Sequence, residues 1–165
     1  MKVKNIQIRF EEYAEGEQLP SSDLSLLQEA QQAANNSYAP YSEFHVGAAV
    51  LLENGIVVKG SNQENASYPL GLCAERVAIF HANSAYPGVK IHAVAITASA
   101  QSFVTQSPIT PCGACRQVMA EVENRQAAPI RIIMSGQKGL TQIVDGIKNL
   151  LPLSFKEEKL KKKKL

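Results

Sequence analysis

Residues 69–76 read PLGLCAER and residues 110–119 read TPCGACRQVM, and between them they hold all three cysteines of the chain. A lone helical cysteine is most often a small buried hydrophobe. These stretches read differently. Cys112-x-x-Cys115 at a helix start turns both thiols to the same side, because residues three apart are neighbours on a helix surface. Cys73 also stands where a helical pattern begins. Two such helices packed side by side on a sheet would converge three thiols from their N-termini. Taken alone, the C-x-x-C spacing fits a zinc half-site, a redox pair or packing. A thioredoxin-like pair would follow the first strand of its fold and would leave Cys73 unexplained. Zinc takes four tetrahedral ligands, and three protein ligands leave one position for water, the layout of a catalytic site. The competing arrangement is a closed structural site with His45, His81 or His92 as fourth ligand. His81 lies two helical turns beyond Cys73, too far along the axis, and His45 and His92 read as strand residues.

The rest of the chain is read outward from these two helices. The run FHVGAAVLLENGIVVKG has two apolar segments flanking Asn54-Gly55, a strong hairpin signal. IHAVAITA is a continuous apolar strand of the kind found in a sheet centre, and IRIIMS and LTQIV are further strands. Alternation of Ile6, Ile8 and Phe10 predicts a short N-terminal strand. LPSSDLSLLQEAQQAANN predicts a helix capped by Ser21 or Ser22, with Asp23 in its first turn and a stripe of Leu24, Leu27, Ala30 and Ala34. The helix from Cys73 to about Ala82 is expected to bury Cys73, Val77 and Phe80. Pro111 suits the first turn of the Cys112 helix, and DGIKNLLP reads as a short helix. Strands alternating with helices imply a layered α/β domain with a mixed sheet.

With 165 residues, 45% of them hydrophobic, the chain reads as one domain, residues 1–155, followed by a lysine-rich tail, 156–165, expected to be flexible. The tail, KEEKLKKKKL, holds more than the whole net charge of +2. The rest is mildly acidic and lacks the basic footprint of a nucleic-acid binder. No run is long enough to span a bilayer, and MKVKNIQIRF lacks an apolar signal core. The expectation is a cytoplasmic protein whose cysteines serve a metal rather than disulfides.

Glu75 sets what such a metal site would do. A lone glutamate at a helix start is commonly there for the helix dipole. Yet C-x-E followed by P-C-x-x-C is the zinc deaminase pattern, in which the glutamate is a general acid and base and not a ligand. NQENASYPLGLCAER, TPCGACRQVM and LLPLSF together resemble cytidine deaminase of the small, three-cysteine type, from about Ser37 to Phe155. The resemblance implies a three-layer α-β-α sandwich around a five-stranded mixed sheet. It implies one Zn²⁺ per subunit on Cys73, Cys112 and Cys115, and hydrolysis of cytidine and deoxycytidine to the uridines and ammonia, as in pyrimidine salvage. It also implies a homotetramer whose subunits share pocket residues. Glu75 would move protons between water, N3 of the base and the departing amine. Arg76 would offset the negative charge of three thiolates on one zinc.

Asn62 and Glu64, two apart in an extended segment, share one face; amide and carboxylate together suit a ribose hydroxyl, the 3′-hydroxyl in the resembling family. Phe44 would stack on the pyrimidine, and the Ala74 N–H would meet the base carbonyl. Ala66, Tyr68 and Phe155 would complete the pocket, in part from a neighbouring subunit. His45, Gln63 and Ser67 depart from the residues common in that family, which bears on fine substrate preference. Two other readings stay open on sequence: a structural zinc module without catalysis, and a deaminase of a related cytosine nucleoside antibiotic.

Overall fold

The computed structural model describes residues 1–156; the tail assigned above lies, Lys156 apart, outside the described residues. The sheet consists of β1 (Glu11–Tyr13), β2 (Phe44–Leu52), β3 (Val57–Ser61), β4 (Ile91–Ala100), β5 (Arg131–Ser135) and β6 (Thr141–Asp145), in the order β1-β6-β5-β4-β2-β3. Only β4 and β5 run parallel. Asn54-Gly55 turns the β2–β3 hairpin, with Gly55 at φ 84°, a conformation glycine adopts without strain. Helix α1 (Ser21–Ala34) packs on one face of the sheet, against Ala49, Ala93, Ala95, Ile133 and Ile143. Helices α2 (Ala74–Ala85) and α3 (Gly113–Gln126) cover the other face, over Val50, Val94, Ile96, Ile132 and Met134. The three-layer α-β-α arrangement is the expected one.

The strand count is not. Among the described residues there are six strands rather than five, because the N-terminal segment adds β1 to the outer edge of β6, pairing Glu11 with Ile143 and Tyr13 with Thr141. The predicted Ile6–Phe10 strand does not form; these side chains are exposed and the ladder begins after them. β6 supplies only five residues, and polar bonds hold β1 there. Arg131 reaches Glu11, Asp23 and Asp145 at 3.3, 2.9 and 3.0 Å, and Gln142 donates to Glu12 at 2.9 Å. Asp23 is therefore a buried ion-pair partner rather than a solvated helix-start acid. Pro20 occupies the cap position of α1, and neither Ser21 nor Ser22 caps it by a side-chain bond. Leu24 faces solvent while Leu26 and Leu27 are buried.

The buried face of α2 also differs from expectation. Ala74, Glu75, Ala78, Ile79 and Ala82 face inward, Val77 is half-buried and Phe80 is exposed. The reason is close approach. A Cβ at Gly60 of β3 would lie 2.5 Å from the Ala78 nitrogen and 2.7 Å from the Ala74 oxygen. The helix backbone thus rests almost on the strand, and its contact face must be small. Gly47 of β2 gives α1 the same clearance on the opposite face, against Ala30 and Ala34. Pro111 lies one residue before the α3 cap rather than in the first turn, and DGIKNLLP forms only a 3₁₀ turn, Ile147–Asn149.

Gly60→Ala is expected to destabilise the protein by about 1–3 kcal/mol or more, since the added methyl meets helix backbone that cannot rotate away. Chemical denaturation would measure it, and a midpoint equal to the parent's would show that α2 shifts freely.

Candidate active site

The three cysteines come together as the two helix starts predict. Cys73 and Cys112 are the cap residues of α2 and α3, each extended (φ −70°, ψ 151° and φ −66°, ψ 166°), and Cys115 lies in the first turn of α3. Cys73 Sγ is 3.8 Å from Cys112 Sγ, which is 3.5 Å from Cys115 Sγ, and all three sulfurs lie within 4.8 Å of one another. These are not disulfide distances, which are near ~2.05 Å. Sulfurs at about 2.3 Å from one tetrahedral zinc would stand roughly 3.8 Å apart. Among the described residues no histidine joins the cluster. His45 instead bonds Ser37 Oγ at 2.6 Å, and His81 and His92 are exposed.

Electrostatics fit a cation there. A hydrogen bond with Cys115 pulls the Cys73 thiol down to about 5; burial opposes this and Arg76 assists. Cys115, the partner that keeps its proton and is itself buried, is pushed up. Arg76 lies beside the cluster, its Nη2 at 4.0 Å from Cys73 Sγ and 3.2 Å from the Gly71 carbonyl. Its Nε is buried without a hydrogen-bond partner. Soft thiolates in a tetrahedral arrangement suit zinc.

Glu75 is buried at the second position of α2. Burial raises its carboxyl above the ordinary range, and the neighbouring Cys73 charge adds to this. It lines a cleft of about 790 Å³ together with Phe44, Asn62, Glu64, Tyr68, Cys73 and Cys112. That size suits a small organic ligand. Asn62 binds the β2 backbone, accepting from the Val46 N–H at 2.8 Å and donating to the Phe44 carbonyl at 2.9 Å. Glu64 accepts from the N–H groups of Tyr41 and Ser42 at 2.9 and 3.3 Å and from the Ser42 hydroxyl at 2.5 Å. The Ser42 hydroxyl, then the Tyr41 N–H, hold its pKa below the usual value. Asn62 fastens the start of β2 and Glu64 the loop before it, and each keeps bonding capacity: an amide has two donors and a carboxylate four acceptor sites. Phe44 stacks on Phe103 with ring centres 6.3 Å apart.

Not every singled-out residue reaches the cleft. Ala74 is fully buried and Ala66 exposed, both outside its lining. Phe155 is exposed too, its carbonyl accepting from Gln117 at 3.1 Å. Conversely Tyr41, Ser42, Leu72, Ile109 and Thr110 line the cleft and were not singled out by sequence. Thr110 precedes Pro111-Cys112 and was findable by adjacency. Tyr41 and Ser42 are brought in by Glu64, more than twenty residues away, and carry no local signal.

Fold and site together define an α/β domain with a three-thiol metal site and a buried carboxyl in the same cleft. The family model described as "Cytidine and deoxycytidylate deaminase zinc-binding region" matches residues 20–128. A cytidine deaminase of Halalkalibacterium halodurans is 44% identical over 133 residues, 81% of this chain and 93% of its own length. One from Sporosarcina psychrophila is 40% identical over 136 residues, 82% of this chain and 92% of its own. The crystal structure of cytidine deaminase from Burkholderia pseudomallei matches with a TM-score of 0.70 at 40% identity, covering 80% of this chain and 98% of that one. The chain belongs to the cytidine and deoxycytidylate deaminase zinc-binding family, and its three-thiol cluster fits one Zn²⁺ per subunit.

Replacing any one thiol, as in Cys112→Ala, should reduce zinc on the purified protein to a small fraction of one equivalent by mass spectrometry of the metal. Arg76→Gln should weaken zinc retention by roughly 10-fold; retention equal to the parent's would remove Arg76 from the thiolate network.

Proposed function

We propose that the chain hydrolyses cytidine and deoxycytidine to uridine and deoxyuridine, releasing ammonia, with Glu75 as the proton carrier. The observation that carries this reading is the placement of Glu75. A buried carboxyl of raised pKa sits two residues from one thiol of the cluster and opens onto a nucleoside-sized cleft. Zinc, when bound, supplies a nucleophile near neutral pH by lowering the pKa of water. Glu75 accepts the proton of the attacking water and delivers it to N3 of the base. It then takes the proton of the new C4 hydroxyl and passes it to the amine as the C4–N bond breaks and the C4 carbonyl forms, so that one carboxyl acts as base and acid in turn. A pKa above the ordinary carboxylate range suits a group that must hold the proton between these steps.

Substrate placement follows from the cleft walls. Phe44 offers a ring face to the pyrimidine. Asn62 and Glu64 use their spare donor and acceptors on the ribose 3′-hydroxyl, which favours free nucleosides over polynucleotides. Arg76 offsets thiolate charge. Tyr68 and Phe155, 76% and 66% exposed, and the exposed Ala66 are the groups we assign to completing a pocket between subunits, in a homotetramer. Three free thiols devoted to a metal support a cytoplasmic setting for pyrimidine salvage. No helix of the described residues is long and apolar enough to cross a membrane.

The test is the fall in cytidine absorbance with purified, zinc-loaded protein. Glu75→Gln is expected to lower kcat by about 10²–10⁴-fold with zinc still bound. Parent protein that holds zinc and leaves cytidine unchanged would sink the reading. Glu64→Gln should raise KM for cytidine by about 10-fold or more, the loss expected when a hydrogen bond to a charged group is weakened, and should leave the poor turnover of free cytosine unaltered. Equal turnover of cytosine and cytidine by the parent would remove the ribose contacts.

A further inference from the structure

Both cysteine-capped helices lack the bond that normally closes a helix start. An N-cap side chain ordinarily accepts from the N–H two or three residues on. Here the cap residues are Cys73 and Cys112, and neither makes a side-chain capping bond. Their sulfurs turn instead to the thiol cluster. Something else must hold the backbone that sets each sulfur.

In α2 the substitute is visible. Arg76 reaches back five residues, donating from Nη2 to the Gly71 carbonyl at 3.2 Å. In α3 an arginine makes the same reach. Arg116 donates from Nε to the Pro111 carbonyl, also five residues back, at 2.7 Å. Its Nη1 donates to the Leu150 carbonyl at 2.8 Å. Leu150 follows the Ile147–Asn149 turn, so one planar fork clamps the turn entering Cys112 to the C-terminal segment. Only a guanidinium presents two N–H groups in this fixed geometry. Pro111 is buried, and Arg116 is half-buried between the two carbonyls.

We infer that Arg116 is a positioning residue for the metal: it braces the Pro111–Cys112 turn in place of a helix cap and couples the Cys112–Cys115 ligand pair to the C-terminal segment. Arg76 does its counterpart work from beside the sulfur, whereas Arg116 acts only through backbone. The inference rests on the deaminase reading for its metal.

The experiment measures zinc release from the loaded protein to a chromogenic chelator, together with the sulfur-to-cobalt charge-transfer bands of the Co²⁺ form. Arg116→Ala should release zinc about 10–100-fold faster, the range typical for removing a group that orients a ligand, and shift the cobalt bands. Arg116→Lys keeps the charge but not the fork, and should release zinc nearly as fast. Arg125→Ala removes an arginine from the last turn of the same helix, where it bonds Asn83, and should behave as the parent. Release within twofold of the parent in Arg116→Ala, or full recovery in Arg116→Lys, overturns the inference. If Arg116→Ala does not fold, Arg116→Lys alone decides it by the same criterion. A parent that fails to hold zinc would instead count against the deaminase reading.

Discussion

The contact between Gly60 and the backbone of α2 governs the rest of the site. A strand and a helix rarely come so close, because a side chain normally stands between them. With no Cβ at residue 60, Ala74 and Ala78 lie directly over β3. This fixes the axial position of α2 and hence the point at which its first residue emerges. Cys73 and Glu75 lie within two residues of that point. The chemistry therefore depends on a packing contact made by the inward face of α2, the face on which Glu75 is also buried.

The second constraint is the parallel pairing of β4 with β5. A parallel pair requires a crossover, and α3 supplies it. The crossover returns α3 to the face that α2 already occupies, bringing two helix N-termini to one place. Helix starts attract negative groups through their free N–H donors and dipole. Three thiols there, one of them low enough in pKa to ionise near neutrality, are thus a property of the topology as much as of the cysteines. The hydrogen bond that lowers the Cys73 thiol is the one that raises Cys115.

Sequence revealed the parts whose signals are local. The hairpin was legible in Asn54-Gly55, and the metal cluster in the spacing of Cys112 and Cys115 plus the position of Cys73. The inward face of α2 was not, because the large residue Phe80 looks like core and the alanines do not. Their burial follows from the closeness of a strand that is distant in the alternation pattern. The N-terminal strand was misplaced for the opposite reason. Ile6, Ile8 and Phe10 have the right alternation but no partner, whereas Glu11 and Glu12 have partners and an unpromising composition. Cleft residues Tyr41 and Ser42 were invisible because what positions them is Glu64, which sequence marked only as a ligand for sugar. That carboxylate fastens the loop with some of its acceptor sites and keeps others free.

Arg131 gives the protein a divided character. One guanidinium serves carboxylates on β1, α1 and β6, so the N-terminal strand is attached largely by charge and by a ladder only three residues long. On the opposite face, the helices that carry the thiols are held by dry contacts among alanine, isoleucine and methionine. Ions in solution weaken the first kind of attachment and leave the second nearly untouched. Ionic strength thus acts most on the exposed pairs at this edge, Glu11 and Asp145 with Arg131, and least on the apolar packing that holds the two helices.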